Sequence, residues 1–158
     1  AVGVAYMYYK KGDYDNAVKY FDEALAKETD NDKKAEMAYA TAAALMQAKK
    51  LSQARAYCQK AISFKENYGD PYILLAQLYG SNPNWTDEPA LNKCTYFVVI
   101  DKLQRAKAVH PSVTERANEL ISTYSRHTPQ AKDLFMLGYK AGDRITIGGW
   151  IGESTTIR

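Results

Sequence analysis

Residues that build reactive or metal-binding centres are scarce in this sequence. Its 158 residues include two cysteines and two histidines. Cys58 and Cys94 both fall inside apolar helical patterns, where a thiol behaves as a small buried hydrophobe, so a structural role is expected for each. Two cysteines do not define a redox compartment. His110 and His127 stand 17 positions apart near prolines at helix ends, where an imidazolium would meet the negative end of a helix dipole. No Cys/His spacing fits zinc. The Gly-x-Ser-x-Gly elbow, the Walker loop and Gly-x-Gly-x-x-Gly are all missing. Gly138, Gly142, Gly148, Gly149 and Gly152 lie in expected turns and strands rather than ahead of a helix, so they are poorly placed to cradle phosphate. Acidic pairs such as Asp22-Glu23 and Asp87-Glu88 lie on solvent faces or in a loop. The expectation is a protein that is not an enzyme and needs neither cofactor nor metal.

Charge of one sign is also lacking. With 21 basic residues against 18 acidic ones the net charge is +3, less basic than nucleic-acid modules usually are, so no nucleic-acid partner is expected. No apolar run nears the roughly 18 residues of a membrane span. The longest, Tyr96 to Ile100 and Tyr72 to Leu75, are far shorter. No basic start followed by an apolar stretch is legible as a signal peptide. The chain opens at Ala1 inside a periodic pattern, which reads as the cut edge of something longer.

What the sequence does contain is a repeat, and thirteen tyrosines. Val4-Ala5-Tyr6-Met7-Tyr8 aligns with Thr41-Ala42-Ala43-Ala44-Leu45 and with Leu75-Ala76-Gln77-Leu78-Tyr79. The small residue recurs at Ala5, Ala42 and Ala76, at spacings of 37 and 34 residues; three positions on, a large one recurs at Tyr8, Leu45 and Tyr79. Such spacing marks the apolar stripe of an amphipathic helix. The segment Lys11-Gly12-Asp13-Tyr14-Asp15-Asn16-Ala17 then matches Lys49-Lys50-Leu51-Ser52-Gln53-Ala54. Ala17, Phe21 and Ala24 correspond to Ala54, Cys58 and Ala61 at the same offset of 37. Gly12 suits a helix stop and Asp13 an N-cap. Each unit therefore reads as helix, tight turn, helix.

Tyr8, Gly12, Tyr14, Ala17, Phe21 and Ala24 resemble a tetratricopeptide (TPR) repeat. The second repeat carries Lys49 where that family favours glycine and Leu51 where it favours tyrosine. The third starts at Pro71 and is interrupted by a loop-rich insertion over 80–89. Its second helix is expected from about Ala90 to Val109, closing on Leu103, Ala106 and Pro111. A fourth first-helix follows with Ala117, Leu120, Ile121 and Tyr124 in phase. The fold class implied is all-α: a right-handed superhelix of about four TPR helical pairs, the first truncated, over residues 1–128.

Residues 129–158 form an extension. Gln130 to Leu137 suits a short helix stopped by Gly138. Ile145 and Ile147, then Thr155 and Ile157, alternate with polar residues, so a β-hairpin with a turn at Gly152-Glu153-Ser154 is expected. An isolated hairpin is marginal in water, so this one must lean on the helices or on another chain. Trp150 is expected to cap the end of the helical stack. The Gly-Gly-Trp-Ile run resembles the tails of TPR proteins from Bacteroides-type bacteria, which implies a location in the periplasm or cell envelope.

In TPR arrays the first helix of each pair lines a concave groove. The resemblance thus nominates Tyr6, Tyr9 and Lys10 in the first repeat, Tyr39, Ala43 and Met46 in the second, and Ile73 and Gln77 in the third; Val2, Glu36, Asn118 and Ser122 share the pattern. Exposed tyrosine and methionine bury much area at low entropy cost on binding. The implied function is a non-catalytic interaction module for a protein or peptide. The alternative is an assembly element of a longer solenoid or a homo-oligomer, with the β tail as docking edge. Some TPR domains clamp a C-terminal carboxylate, but Tyr6 and Ala43 stand where that pattern wants asparagine and Leu74 where it wants arginine. An extended or helical apolar peptide fits better.

Overall fold

The computed structural model describes residues 2–158; Ala1 lies outside them. The chain is mostly helical and divides into two compact units, 1–74 and 75–158.

The N-terminal unit holds α1 (Val2–Lys10), α2 (Tyr14–Lys27), α3 (Asn31–Gln47), α4 (Leu51–Phe64) and the start of α5 (Asp70–Ser81). Helix α1 packs on α2, α2 on α3 and α3 on α4. Alanine makes this possible: Ala5, Ala17, Ala35, Ala38, Ala42, Ala44, Ala54 and Ala61 are fully buried and let backbones approach closely. Phe21 and Leu45 fill what remains. Both interior turns close alike. Gly12 takes φ 79° and Lys49, 37 residues on, takes φ 64°. In the first, the Asp13 N–H reaches the Tyr8 carbonyl at 3.0 Å; in the second, the Lys50 N–H reaches the Leu45 carbonyl at 2.9 Å. Both are the helix-ending motif that calls for a left-handed residue, at a steric cost that glycine avoids. Asp13 caps α2 through the Asn16 N–H at 3.3 Å, and Asp30 caps α3 through the Asp32 and Lys33 N–H groups.

The C-terminal unit takes the rest of α5, then α6 (Pro89–Lys93), α7 (Thr95–Val109), a 3-10 turn at Pro111–Val113, α8 (Thr114–Ser125), α9 (Ala131–Met136), β1 (Arg144–Thr146) and β2 (Ser154–Thr156). The single helix expected over 90–109 is two helices that meet at Cys94. There the pattern tightens, with the Cys94 N–H on the Leu91 carbonyl at 3.1 Å and the Phe97 N–H on the Cys94 carbonyl at 3.0 Å. The insertion is folded back by Asn92, whose Oδ1 accepts from the Trp85 and Thr86 N–H groups at 2.9 and 3.0 Å. Trp85 donates its Nε1–H to the Leu91 carbonyl. Gly138, at φ 90°, ends the short α9 as expected.

The hairpin is present and antiparallel, pairing Arg144 with Thr156, Ile145 with Thr155 and Thr146 with Ser154. Its connection is longer than the expected turn: it spans 147–153, and Ser154 belongs to the strand. The reason is burial, because Ile147 and Ile151 are drawn into the core from within the loop. The hairpin leans on α7. The Thr155 hydroxyl donates to Asp101 Oδ2 at 2.7 Å, and Asp101 also pairs with Arg158. Glu153 accepts from the Tyr79 hydroxyl and from Lys102 Nζ, each at 2.5 Å. Trp150 packs edge-on to Tyr79, centroids 5.4 Å apart.

Candidate functional site

Tyrosine side chains collect on the N-terminal unit. Tyr8 stacks on Tyr20 at 5.5 Å and Tyr9 meets Tyr14 edge-on at 5.4 Å. Burial, then Tyr14, pushes the Tyr9 hydroxyl above its usual pKa. Tyr6 stands edge-on to Phe21 at 4.9 Å yet keeps 46% of its surface exposed. Lys10, one turn further along α1, is exposed. On α3, Glu36 is exposed, and Tyr39, Ala43 and Met46 are half-buried at successive turns. The Tyr39 ring lies 5.8 Å from that of Tyr68, in the loop between α4 and α5. The Tyr68 hydroxyl is held well above the ordinary phenol range, first by burial, then by Asp70, Tyr39, Glu36 and Tyr6. Groups from α1, α3 and the start of α5 therefore act on one phenol, which stays protonated and able to donate. Lys65 places its ammonium 5.6 Å from the Tyr68 ring centre.

Of the nominated residues in this unit, Tyr6, Tyr9, Lys10, Tyr39, Ala43 and Met46 all retain accessible surface. Ile73 is 3% exposed and gives no surface to a partner, because the apolar start of α5 is buried on more than one side. Gln77 is half-buried and belongs to the other unit. Tyr68 was missed by periodicity, since it lies outside any helix; its one sequence mark is its place just before the Gly69-Asp70-Pro71 helix start.

Both cysteines are buried free thiols. Burial pushes Cys58 up to about 12 and Cys94 up to about 11, so neither is a ready nucleophile at neutral pH. Among the described residues no His, Cys, Asp and Glu group could hold a metal ion, and no helix is long and apolar enough to cross a membrane. In the C-terminal unit, a cavity of about 420 Å³ is lined by Leu134, Phe135, Met136, Tyr139 and Ile157 among others. Another of about 560 Å³ brings Lys93, Tyr96, Arg126 and His127 together, with His127 tilted over Tyr96 at 5.2 Å.

The tetratricopeptide-repeat family model matches residues 2–31, the α1–α2 hairpin. The fold is TPR-like. It is similar to the TPR2B domain of yeast Sti1 in complex with pHsp70, at 24% identity and a TM-score of 0.62, covering 77% of this chain and 90% of that one. It is similar also to the TPR2AB domain of yeast Sti1 in complex with pHSP90, at 25% identity and a TM-score of 0.62, covering 77% of this chain and 43% of that one. The first TPR of Spaghetti (RPAP3), bound to the HSP90 peptide SRMEEVD, is similar at 17% identity and a TM-score of 0.61, covering 79% and 89%. No curated protein matches the sequence.

Proposed function

We propose that the N-terminal unit is a peptide-binding module whose site is the face made by Tyr6, Tyr9, Lys10, Tyr39, Ala43 and Met46. The observation that carries this reading is the gathering of half-exposed phenols from α1, α3 and the α4–α5 loop around Tyr68. Large aromatic rings left accessible on a rigid helical scaffold are the groups that bind a partner at low entropy cost. The three similar solved structures support it, since each is a TPR complex, with pHsp70, with pHSP90 or with the HSP90 peptide SRMEEVD. Residues 129–158 serve in this reading as an extension that closes the helical pairs. The module has no catalytic role.

The test is selection of a phage-displayed peptide library on the immobilised chain, followed by binding to a Tyr6/Tyr39/Met46 triple alanine variant. Selected peptides should lose at least about tenfold in affinity, about 1.4 kcal/mol. Peptides that bind the variant as well as the parent would place the site elsewhere.

One observation favours a second reading, assembly through the C-terminal unit. Phe135 and Met136 are 74% and 84% exposed beside the apolar cavity at α9. Sedimentation equilibrium should then show a dimer that Phe135→Ser dissolves; a monomer at every concentration excludes it.

A further inference from the structure

Apart from the tyrosine face, we propose that the cavity of about 560 Å³ in the C-terminal unit binds a phosphorylated polar compound the size of a sugar phosphate. Lys93, Arg126 and His127 hold its phosphate. Lys93 ends α6, Arg126 caps the end of α8 and His127 follows it, so packing gathers cationic groups from separate elements. No carboxylate lines the cavity. Among the described residues neither Lys93 nor Arg126 is in an ion pair. Glu88 and Asp133 border Lys93 only in a separate, smaller hollow. The carbonyl end of α8 offsets roughly half a charge. That leaves the cavity positive.

Its walls are fixed before any ligand arrives. The His127 ring lies 5.2 Å from that of Tyr96, and Tyr96 in turn stacks on Tyr124 at 6.0 Å. This run of rings, from the turn after α8 through α7 to α8, holds the imidazole in place. An imidazole has at least one N–H to donate in either charge state. Asn92, another lining residue, is locked by its bonds to the Trp85 and Thr86 backbone. A cavity already shaped costs a ligand little ordering on binding. A guanidinium matches two phosphate oxygens at once, and an ammonium offers a compact charge to a third. The volume exceeds what a bare phosphate fills. The exposed amides of Asn84 and Gln130 line the remainder and suit hydroxyl groups better than an alkyl chain.

The probe is glucose 6-phosphate, with glucose as the neutral control and inorganic phosphate as the charged group alone. Binding is read by calorimetry and by amide shifts of Lys93, Arg126, His127 and Thr128 at low salt, where the attraction is least screened. Glucose 6-phosphate should bind at least about tenfold tighter than glucose and about threefold tighter than inorganic phosphate. A Lys93→Gln/Arg126→Gln variant should lose at least about tenfold. A Lys132→Gln/Lys140→Gln variant removes the same charge from the same unit outside this cavity and should bind as the parent does. All four side chains are exposed, and unchanged thermal melts show both variants folded. If glucose binds as tightly as its phosphate, the cavity does not read charge and the proposal fails. If inorganic phosphate binds as tightly, the sugar-sized ligand is wrong. If both variants weaken binding alike, the attraction belongs to the whole surface and not to this site. If no lining amide moves up to about 10 mM probe, the cavity takes no phosphate. None of these outcomes bears on the tyrosine face of the other unit.

Discussion

The interface of α3 with α4 is built largely of alanine, whereas the C-terminal unit is tied by polar side chains reaching across long stretches of chain. Ala38, Ala42, Ala54 and Ala61 have essentially no exposed surface, and Leu45 is the only large side chain of those two helices buried as completely. By contrast the C-terminal unit buries Tyr79, Leu78, Leu103, Leu134, Ile147 and Ile151. It also relies on Tyr79–Glu153, Lys102–Glu153 and Thr155–Asp101, contacts between residues about fifty or more positions apart. A regular hairpin brings its helices so close that only small residues fit, and dispersion over many short contacts then holds it. An insertion and a two-stranded tail break that regularity, leaving gaps that need large side chains and directional bonds.

Tyr79→Ala tests this difference most severely. It empties the largest fully buried side chain, removes the partner of Trp150 and strips one donor from Glu153. A loss of about 3–5 kcal/mol in urea unfolding is expected, and a loss under about 1 kcal/mol would mean the tail is not tied through this residue.

The thiols sharpen the contrast, with one in each unit. Burial lifts their folded pKa values, to about 12 for Cys58 and about 11 for Cys94, above the ordinary thiol value of 9.0. The unfolded chain therefore ionises first. The stability they contribute is fully present below pH 9 and is lost as pH rises through 11 to 12. Chemical unfolding at pH 7, 9 and 10.5 should show stability flat to 9 and falling above it. Neither thiol has exposed surface, so a thiol reagent at pH 8 should label both only slowly, through unfolding; rapid labelling of either in the native chain would contradict its burial.

Gly148→Ala should cost about 1–3 kcal/mol. Its added carbon would lie 2.8 Å from Trp85 Cε3, and the indole cannot step aside without breaking its bond to the Leu91 carbonyl. A melt unchanged from the parent would show that the insertion loop yields freely. The smallest effect is a gain. Lys49 holds φ 64° where the equivalent turn has Gly12, so Lys49→Gly should stabilise by about 0.5–1 kcal/mol. A loss would mean that unfolded-chain entropy outweighs the relieved strain.

The helical hairpins and their turns were legible because their signals are local. The 37-residue offset links Ala17 to Ala54, Phe21 to Cys58 and Gly12 to Lys49, and every member of these pairs plays the same part in its hairpin. The α9 stop at Gly138 was read from the same kind of cue. What escaped was non-local. The break at Cys94 has no proline or glycine to announce it. The hairpin loop lengthens because Ile147 and Ile151 find a core that no pattern within the loop reveals. Ile73 looked free for a partner on helical phase, yet it is buried, because the apolar start of α5 is covered on more than one side.

The nominated face shows the same division. Tyr6, Tyr39 and Met46 follow from helical phase, while Tyr68 enters from a loop and matters through its neighbours, not its position in a repeat. Taken alone, the sequence determined which segments are helices, where they stop and which side of each carries small residues, since hydrogen bonding within a turn and side-chain size act over a few residues. Tertiary structure decided which tyrosines meet, which carboxylates stand beside them and how the tail is anchored. Those outcomes depend on distances between segments far apart in the chain, and only close packing of the whole unit sets them.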